Sequence, residues 1–175
     1  MVLAGYGPMA DPEKLRRAAR RADELGFHSL WLYDHVSFPA AIPQVYGKIV
    51  FSPETPFLDP MTTLAFLAAE TQQIRLGSGV LLVGLRHPLQ VAKNVATLDV
   101  ISGGRAVFGI GLGWVTEEFE AMGIPFRTRV GHMRESVEIP RMLWAGGRCA
   151  YQGKHFSFPE MTSFPMPVQP GALLS

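Results

Sequence analysis

The stretch "RAVFGIGLGW", residues 105–114, raises the question on which the fold of this chain depends. An apolar, β-branched lead is followed by glycine at every second position, 109, 111 and 113. A glycine-rich turn after a strand can cradle a phosphate, as in dinucleotide-binding proteins. Glycines two residues apart in a strand also share one face of the sheet, which a neighbour can then approach closely.

The spacing of these glycines argues against a dinucleotide site. That fingerprint is G-x-G-x-x-G at the first strand-to-helix turn, with an acidic residue about 20 positions later. Here the third glycine follows the second after a single residue, the strand is the fourth, and Trp114 stands where a small residue is needed. Two explanations stay open: tight packing of large against small residues inside a barrel, or approach of a flat or bulky ligand.

The segments around this stretch alternate between strand and helix patterns. Short apolar runs predict strands at 27–33, 74–84 and 105–113, and the short apolar start, 1–8, a clipped first strand. Periodic segments predict helices at 11–26, 59–73, 87–104, 115–123 and 127–147. Residues 149–158 predict a small hairpin around Gly153. Asp11-Pro12 and Asp59-Pro60 are start signals for helices, and Pro140 is expected to kink or break the last one.

Strands that alternate with helices at this spacing predict parallel β-α-β units. Two architectures fit, the open doubly wound sheet and the (β/α)8 barrel. The 175 residues are enough for one domain, taken here as 1–175. Sixteen basic and fifteen acidic residues give a net charge of +1, which favours neither nucleic acid nor a membrane as a partner.

Other composition signals restrict the setting and the chemistry. The lone Cys149 excludes an internal disulfide framework and fits a reducing compartment. No apolar run reaches the roughly 18 residues of a membrane span, and no signal-peptide pattern occurs, so we expect a cytoplasmic protein. The histidines have no metal-ligand spacing, and neither a P-loop nor a G-x-S-x-G elbow is present, so no metal site is expected.

Ligands of α/β proteins bind at the carboxyl ends of the strands. The second strand ends in Asp34-His35, the third has a glycine break at 77–80, and the fourth ends in Gly113-Trp114. His35 could act as an acid or base, and a carboxylate could hold its tautomer. The alternative is that Asp34 caps a turn and His35 packs. Adjacent residues of a strand face opposite sides, so the two are not expected to touch.

Three further sets of polar residues are assigned to architecture. His87 precedes a proline at a helix start and is expected to act at the helix N-terminus. Asp99 and Arg105 are expected to pair across the "ISGG" turn. The helix dipole favours acids in the first turns of a helix, which accounts for Glu117, Glu118 and Glu120.

Four stretches, taken in order, carry a resemblance to a known family: "ADELGFHSLWLYDHV", "DPMTTLAFLAAETQQIRLGSGVLL", "RHPLQVAKNVATLDVISGGRAVFGIGLGW" and "EEFEAMGIPF". Together they resemble the bacterial luciferase-like monooxygenase family, and within it the branch that uses coenzyme F420. The resemblance extends over nearly the whole chain. No single motif is decisive, but the ordered set is highly specific.

The resemblance implies a TIM-type (β/α)8 barrel with a flavin-like ring at its C-terminal mouth. His35 would be the proton donor or acceptor beside the ring, Gly79–Val80 a bulge behind it that is often a cis peptide in relatives, and Trp114 a wall of the pocket. The implied cofactor-binding residues are Asp34, His35, Ser78, Gly79, Val80, Gly111, Gly113 and Trp114. The first two are the implied catalytic residues.

A barrel of this type needs about 250 residues. We therefore expect the chain to be the N-terminal half of such an enzyme, with the first four β/α units plus a small hairpin. The tail, 159–175, is expected to stop before the fifth strand, so half of the wall and the expected phosphate grip would lie outside it. The long loop 37–58 is a possible lid.

The implied function is hydride transfer between coenzyme F420 and a small organic substrate. An FMN-dependent monooxygenase of the same fold is the first alternative. A non-catalytic flavin-binding half-barrel, or an inactive fragment, is the second. The expected partners are a small-molecule substrate and, for the full-length form, a second copy in a homodimer.

Overall fold

A computed structural model of the chain describes residues 1–41 and 52–169. Its helices and strands follow one another as α1 (Pro12–Glu24), β1 (Ser29–Leu32), α2 (Pro60–Glu70), β2 (Arg75–Ser78), α3 (Pro88–Ile101), β3 (Ala106–Val107), α4 (Thr116–Ala121), α5 (Arg129–Gly146), β4 (Arg148–Gln152) and β5 (Ser157–Thr162). Within these ranges no helix combines the length and the apolar character that a membrane crossing requires.

The first three strands form a parallel sheet in the order β1-β2-β3. Leu30 lies opposite Leu76, and Leu76 opposite Ala106. The N-terminal segment, which the sequence predicts to be a clipped strand, adds a parallel bridge between Val2 and Trp31. The parallel segments therefore lie side by side in chain order. This order is typical of a β/α barrel, because a doubly wound sheet reverses its order at a switch point.

The predicted helix starts are confirmed. The Asp11 carboxylate accepts a hydrogen bond from a first-turn N–H of α1 at 2.9 Å, and Asp59 does the same for α2 at 2.8 Å. His87 Nδ1 accepts from a backbone N–H at the start of α3 at 3.3 Å. These acceptors satisfy donors that have no partner inside the helix, so sequence-local chemistry sets where each helix begins.

The expected break at Pro140 is wrong, because α5 continues through it for six further residues. Proline cannot donate the helical N–H, but Ile139, Pro140 and Leu143 are all buried. Burial of this face offsets the lost hydrogen bond. The helix ends instead before Gly147, whose φ of 71° is left-handed and suits glycine.

The main core lies between the helices and one face of the parallel sheet. Both the helices and the sheet contribute buried apolar residues to it: Leu15 and Ala19 from α1, Leu64 and Leu67 from α2, Val91 and Val95 from α3, and Leu30 and Leu76 from the sheet. The helices therefore cover one face of the sheet.

The face of the sheet turned away from this core carries Trp31, with glycine beneath its indole. A Cβ added at Gly77 would lie 2.5 Å from the ring, and at Gly79 or Gly109 3.3 or 3.2 Å from it. The indole Nε1 donates to Ser29 Oγ at 2.8 Å. Three glycines on two neighbouring segments therefore make room for one large side chain.

The predicted pair between Asp99 and Arg105 is wrong. Asp99 accepts hydrogen bonds from the backbone N–H groups of Val168 and Gln169 at 2.8 and 3.1 Å. The Arg105 guanidinium instead donates to the carbonyls of Ala68 and Ile74. Each side chain joins its turn to a segment distant in sequence, which local spacing cannot predict.

The predicted hairpin is confirmed as β4 paired antiparallel with β5. Its turn is attached to α5 by the Glu135 carboxylate, which accepts from the N–H groups of Lys154, His155 and Phe156. Partial burial acts to raise the pKa of Glu135, but these hydrogen bonds outweigh it, so the pKa lies below its ordinary value.

Asp23 at the end of α1 makes a similar junction, and it carries a pH prediction. Its carboxylate accepts from the N–H groups of Gln72, Gln73 and Ile74 at 2.7, 3.0 and 2.6 Å. Burial acts to raise the pKa of Asp23, but these donors and the Arg105 charge outweigh it and lower the pKa. A carboxyl group whose pKa is lower in the folded than in the unfolded protein stabilises the fold at pH values above its unfolded-state pKa, which is about 4. This stabilisation is lost as the pH falls through the folded-state pKa.

We therefore expect Asp23→Asn to reduce the dependence of stability on pH in the acid range. Urea unfolding at about pH 6 and about pH 3 measures this, with Asp11→Asn as the control, since asparagine also caps helices. An Asp23→Asn protein that loses as much stability between the two pH values as the wild type would contradict the assignment.

Candidate functional site

A cleft of about 420 Å³ lies where the three parallel strands end. The segment after β1 contributes Tyr33, Asp34 and His35, and the segment after β2 contributes Gly79, Val80 and Leu82. Gly113 and Trp114 follow β3, and Tyr6 and Phe57 complete the lining. The parallel direction brings these carboxyl-terminal ends to one edge, so residues up to about a hundred positions apart meet there.

Aromatic rings form much of the cleft. The ring centroids of His35 and Trp114 are 5.7 Å apart, with an angle of 85° between the ring planes. Phe57 approaches the His35 ring edge-on at 5.4 Å and stacks on Tyr6 at 5.1 Å. Offset and edge-on contacts of this kind are favourable for aromatic pairs and present flat apolar walls.

His35 is bound by an acid from α4. Its Nδ1 lies 3.1 Å from Glu118 Oε2, and the side chains are 11% and 0% exposed. The other carboxylate oxygen accepts from the backbone N–H groups of Val36 at 2.6 Å and Ser37 at 3.2 Å. The sequence assigned Glu118 to the helix dipole alone, whereas it contacts the candidate catalytic histidine.

Asp34 has a different partner from its neighbour. Its carboxylate receives Arg86 Nη1 at 2.6 Å and Nη2 at 2.9 Å, and Leu82 N–H at 2.7 Å. Both oxygens are thus engaged, and the residue is 4% exposed. Asp34 and His35 have different partners and, as expected from the sequence, do not bind each other. This geometry favours a role in which Asp34 holds the segment after β2 in place.

The glycines of "GIGLGW" make room for residues of the chain itself. A Cβ at Gly109 would lie 2.2 Å from the Ser78 carbonyl oxygen, and one at Gly111 2.1 Å from Val80 Cγ2. Gly113 has a φ of 79° and lies against the Phe119 ring. Of the two explanations left open by the sequence, tight packing is the one these contacts support.

The implied cofactor-binding residues divide into two groups. Asp34, His35, Gly79, Val80, Gly113 and Trp114 all line the cleft. Among the described residues, Ser78 and Gly111 are outside its lining. Ser78 is 1% exposed and its hydroxyl donates to the Gly109 carbonyl at 2.8 Å, because its side chain lies within the sheet.

The Gly79–Val80 peptide bond is cis in the structure. The same step had been singled out by resemblance as a bulge behind the ring. The strand predicted over 74–84 is shorter in the structure, where β2 ends at Ser78, before Gly79. Val80, just after it, is 39% exposed and faces the cleft.

The possible lid, 37–58, lies partly outside the described residues, which omit 42–51. The described flanks both reach the site. Phe38 lies 4.4 Å from the His35 ring and 5.8 Å from Phe57, measured between centroids. The loop thus begins and ends against the candidate catalytic histidine, and its action as a lid stays a prediction.

A comparison with family models decides the relationship. The model of the luciferase-like monooxygenases matches residues 2–173. The chain belongs to the luciferase-like monooxygenase family. The resemblance inferred from the four sequence stretches is therefore confirmed.

Several members of the family, or proteins of its fold, are similar to this chain. An F420-dependent glucose-6-phosphate dehydrogenase from Kineococcus radiotolerans is 32% identical over 95% of this chain and 48% of its own length. The crystal structure of monooxygenase RslO1 from Streptomyces bottropensis is 34% identical with a TM-score of 0.76, over 91% of this chain and 44% of that one. A coenzyme F420 dependent tetrahydromethanopterin reductase from Methanopyrus kandleri is 28% identical with a TM-score of 0.73, over 97% and 46%.

The chain spans about half the length of the curated relatives it matches. The described residues form an α/β fold with a parallel sheet and a cleft at the ends of its strands. In the described part of the chain, no group of three or more histidine, cysteine or acidic residues is arranged to hold a metal ion.

Sequence reasoning missed Glu118 and Arg86 as members of the site. Glu118 lies 83 residues from His35, and Arg86 lies 52 residues from Asp34. Neither spacing is a motif. The sequence therefore carried no signal for either contact. The fold buries Asp34 and Glu118, and a buried carboxylate needs hydrogen-bond donors.

Proposed function

We propose that the cleft at the strand ends is the ring-binding part of a deazaflavin site, in an oxidoreductase that transfers hydride between coenzyme F420 and a small organic substrate. The observation that carries this proposal is that His35, Gly79–Val80 and Trp114 line one cleft. Family membership supports it, since the Kineococcus radiotolerans relative is named as F420-dependent and is 32% identical.

The lining and the volume of the cleft support the binding of a flat, tricyclic ring. Gly79 and Gly113 contribute no side chain to the lining, while Tyr6, Phe57 and Trp114 offer planar surfaces. Its volume of about 420 Å³ is within the range of ligand sites. When bound, a deazaflavin accepts or donates a hydride, which protein side chains do not do.

The residues of this chain have distinct tasks in the proposal. Trp114 and Val80 would hold the ring and exclude water from its faces. His35 would use an imidazole nitrogen to exchange the proton that accompanies hydride transfer. Asp34, through Arg86 and Leu82, would keep the segment after β2 in position.

A second candidate is an FMN-dependent monooxygenase. The observation that favours it is the 34% identity to the monooxygenase from Streptomyces bottropensis, whose fold superposes with a TM-score of 0.76. The same aromatic cleft suits an isoalloxazine ring. The two candidates differ in the cofactor and in the use of oxygen, so cofactor titration and oxygen consumption on reduction separate them.

The test is an anaerobic fluorescence titration of the protein with coenzyme F420 and with FMN. We expect F420 to bind, and Trp114→Ala to weaken binding about tenfold, because the loss of one aromatic wall costs about 1.4 kcal/mol. Phe27→Ala is the matched control, since Phe27 is 46% exposed against 43% for Trp114 but precedes β1, at the opposite end of the strands.

The outcomes are separable. No spectral or fluorescence change with F420 would defeat the proposal. Equal binding by the Trp114→Ala and Phe27→Ala proteins would place the cofactor outside this cleft. Tight FMN binding with oxygen consumption on reduction would favour the monooxygenase.

A further inference from the structure

We propose that Glu118 is a positioning residue that fixes the tautomer of His35, keeping the ring proton on Nδ1 and leaving Nε2 as a hydrogen-bond acceptor toward the cleft. The catalytic meaning of this arrangement rests on the proposed function. The arrangement itself is a property of the protein without any cofactor.

One carboxylate holds three consecutive residues. Glu118 Oε2 lies 3.1 Å from His35 Nδ1, while Oε1 accepts from the N–H groups of Val36 and Ser37 at 2.6 and 3.2 Å. The Glu118 side chain is 0% exposed, so these contacts are made away from water. The segment that follows β1 is thereby attached to α4.

The chemistry of the two groups sets the direction of the hydrogen bond. An ionised carboxylate only accepts, and a neutral imidazole has one donor and one acceptor nitrogen. The nitrogen that faces Glu118 must therefore be the donor. Nε2, on the other side of the ring, then carries the lone pair that can take a proton.

The surroundings of the ring leave this role to Glu118. Asp34, the acid next to His35 in sequence, gives its oxygens to Arg86 and the Leu82 N–H. Phe38 and Trp114 pack against the imidazole at centroid distances of 4.4 and 5.7 Å, which restricts its rotation. A fixed ring with a carboxylate oxygen at Nδ1 has a single favoured tautomer, because a carboxylate accepts hydrogen bonds.

The variant Glu118→Gln separates positioning from simple support. Its amide oxygen can stay where Oε1 accepts from Val36 and Ser37, which leaves the amide NH2 facing His35. The flipped amide would instead direct its NH2 at two backbone donors. We therefore expect the variant to fold and to reverse the tautomer, since a donor now faces Nδ1.

The measurement is long-range ¹H–¹⁵N NMR of the ¹⁵N-labelled protein at about pH 8, where an ordinary histidine is neutral. The chain has five histidines, so the signals that disappear in His35→Asn assign the ring. In the wild type we expect a pyrrole-type shift at Nδ1 and a pyridine-type shift at Nε2. In Glu118→Gln the two shifts exchange, whereas Glu120→Gln, an exposed position at the end of α4, keeps the wild-type pattern.

A wild-type ring with its proton on Nε2 would overturn the proposal even if the variant failed to fold. An unchanged tautomer in folded Glu118→Gln would overturn it too. The readout needs no cofactor, so a protein that binds neither F420 nor FMN but shows the exchange would defeat the proposed function and leave this inference standing. Cofactor binding without the exchange would do the reverse.

Discussion

Arg86→Met is expected to lower the free energy of unfolding by about 3 kcal/mol, because it leaves a buried carboxylate without its cation. Asp34 has a side chain that is 0% exposed, and Arg86 reaches it with both terminal nitrogens. Methionine keeps most of the volume of the arginine stem, so the loss reports the charge rather than the packing. This expected loss lies at the lower end of the range for breaking a buried ion pair, because the Arg86 side chain is still 17% exposed.

Urea unfolding followed by circular dichroism measures this effect. The matched control is Arg148→Met, which removes a pair with Glu160 whose side chains are 67% and 63% exposed, and about 0.5 kcal/mol or less is expected there. The double variant Asp34→Asn with Arg86→Met should recover part of the loss, since asparagine is uncharged and still accepts from Leu82. Equal losses for Arg86→Met and Arg148→Met would contradict this account of the cleft edge.

Gly109→Ala is expected to destabilise the protein by about 3 kcal/mol, at the upper end of the cost of overpacking. The added Cβ would lie 2.2 Å from the carbonyl oxygen of Ser78, which is backbone of the neighbouring segment and cannot rotate away. Gly111→Ala should cost less, about 1 kcal/mol, because its close neighbour is the Val80 side chain, which is 39% exposed.

The control for both is Gly146→Ala in the last turn of α5, where a Cβ meets nothing within 4 Å. Alanine is favoured over glycine in helices, so a gain of about 0.5 kcal/mol is expected there. Thermal unfolding ranks the three variants. A Gly109→Ala protein as stable as the wild type, with weaker cofactor binding instead, would revive ligand approach as the reason for these glycines.

Part of the candidate site could be predicted from the sequence. The rule that ligands bind at strand ends selected Asp34, His35, Gly113 and Trp114, and all four line one cleft. The family resemblance also placed Ser78 and Gly111 in the site, but both make contacts across the sheet instead. Glu118 was recognised as an acid in a first helical turn, yet its contact with His35 depends on where α4 lies relative to β1.

The sequence by itself determined the helix starts at Asp11, Asp59 and His87 and the hairpin around Gly153, because caps and turns are chemistry between residues close in the chain. It also determined the alternation of strand and helix, since periodicity is local. Only the tertiary structure decided that Arg86 binds Asp34 and that Glu118 binds His35. It also decided that the Ser78 backbone lies too close to Gly109 for a side chain there. Those contacts join residues 31 to 83 positions apart, and their partners follow from packing and from the need of buried polar groups for hydrogen bonds.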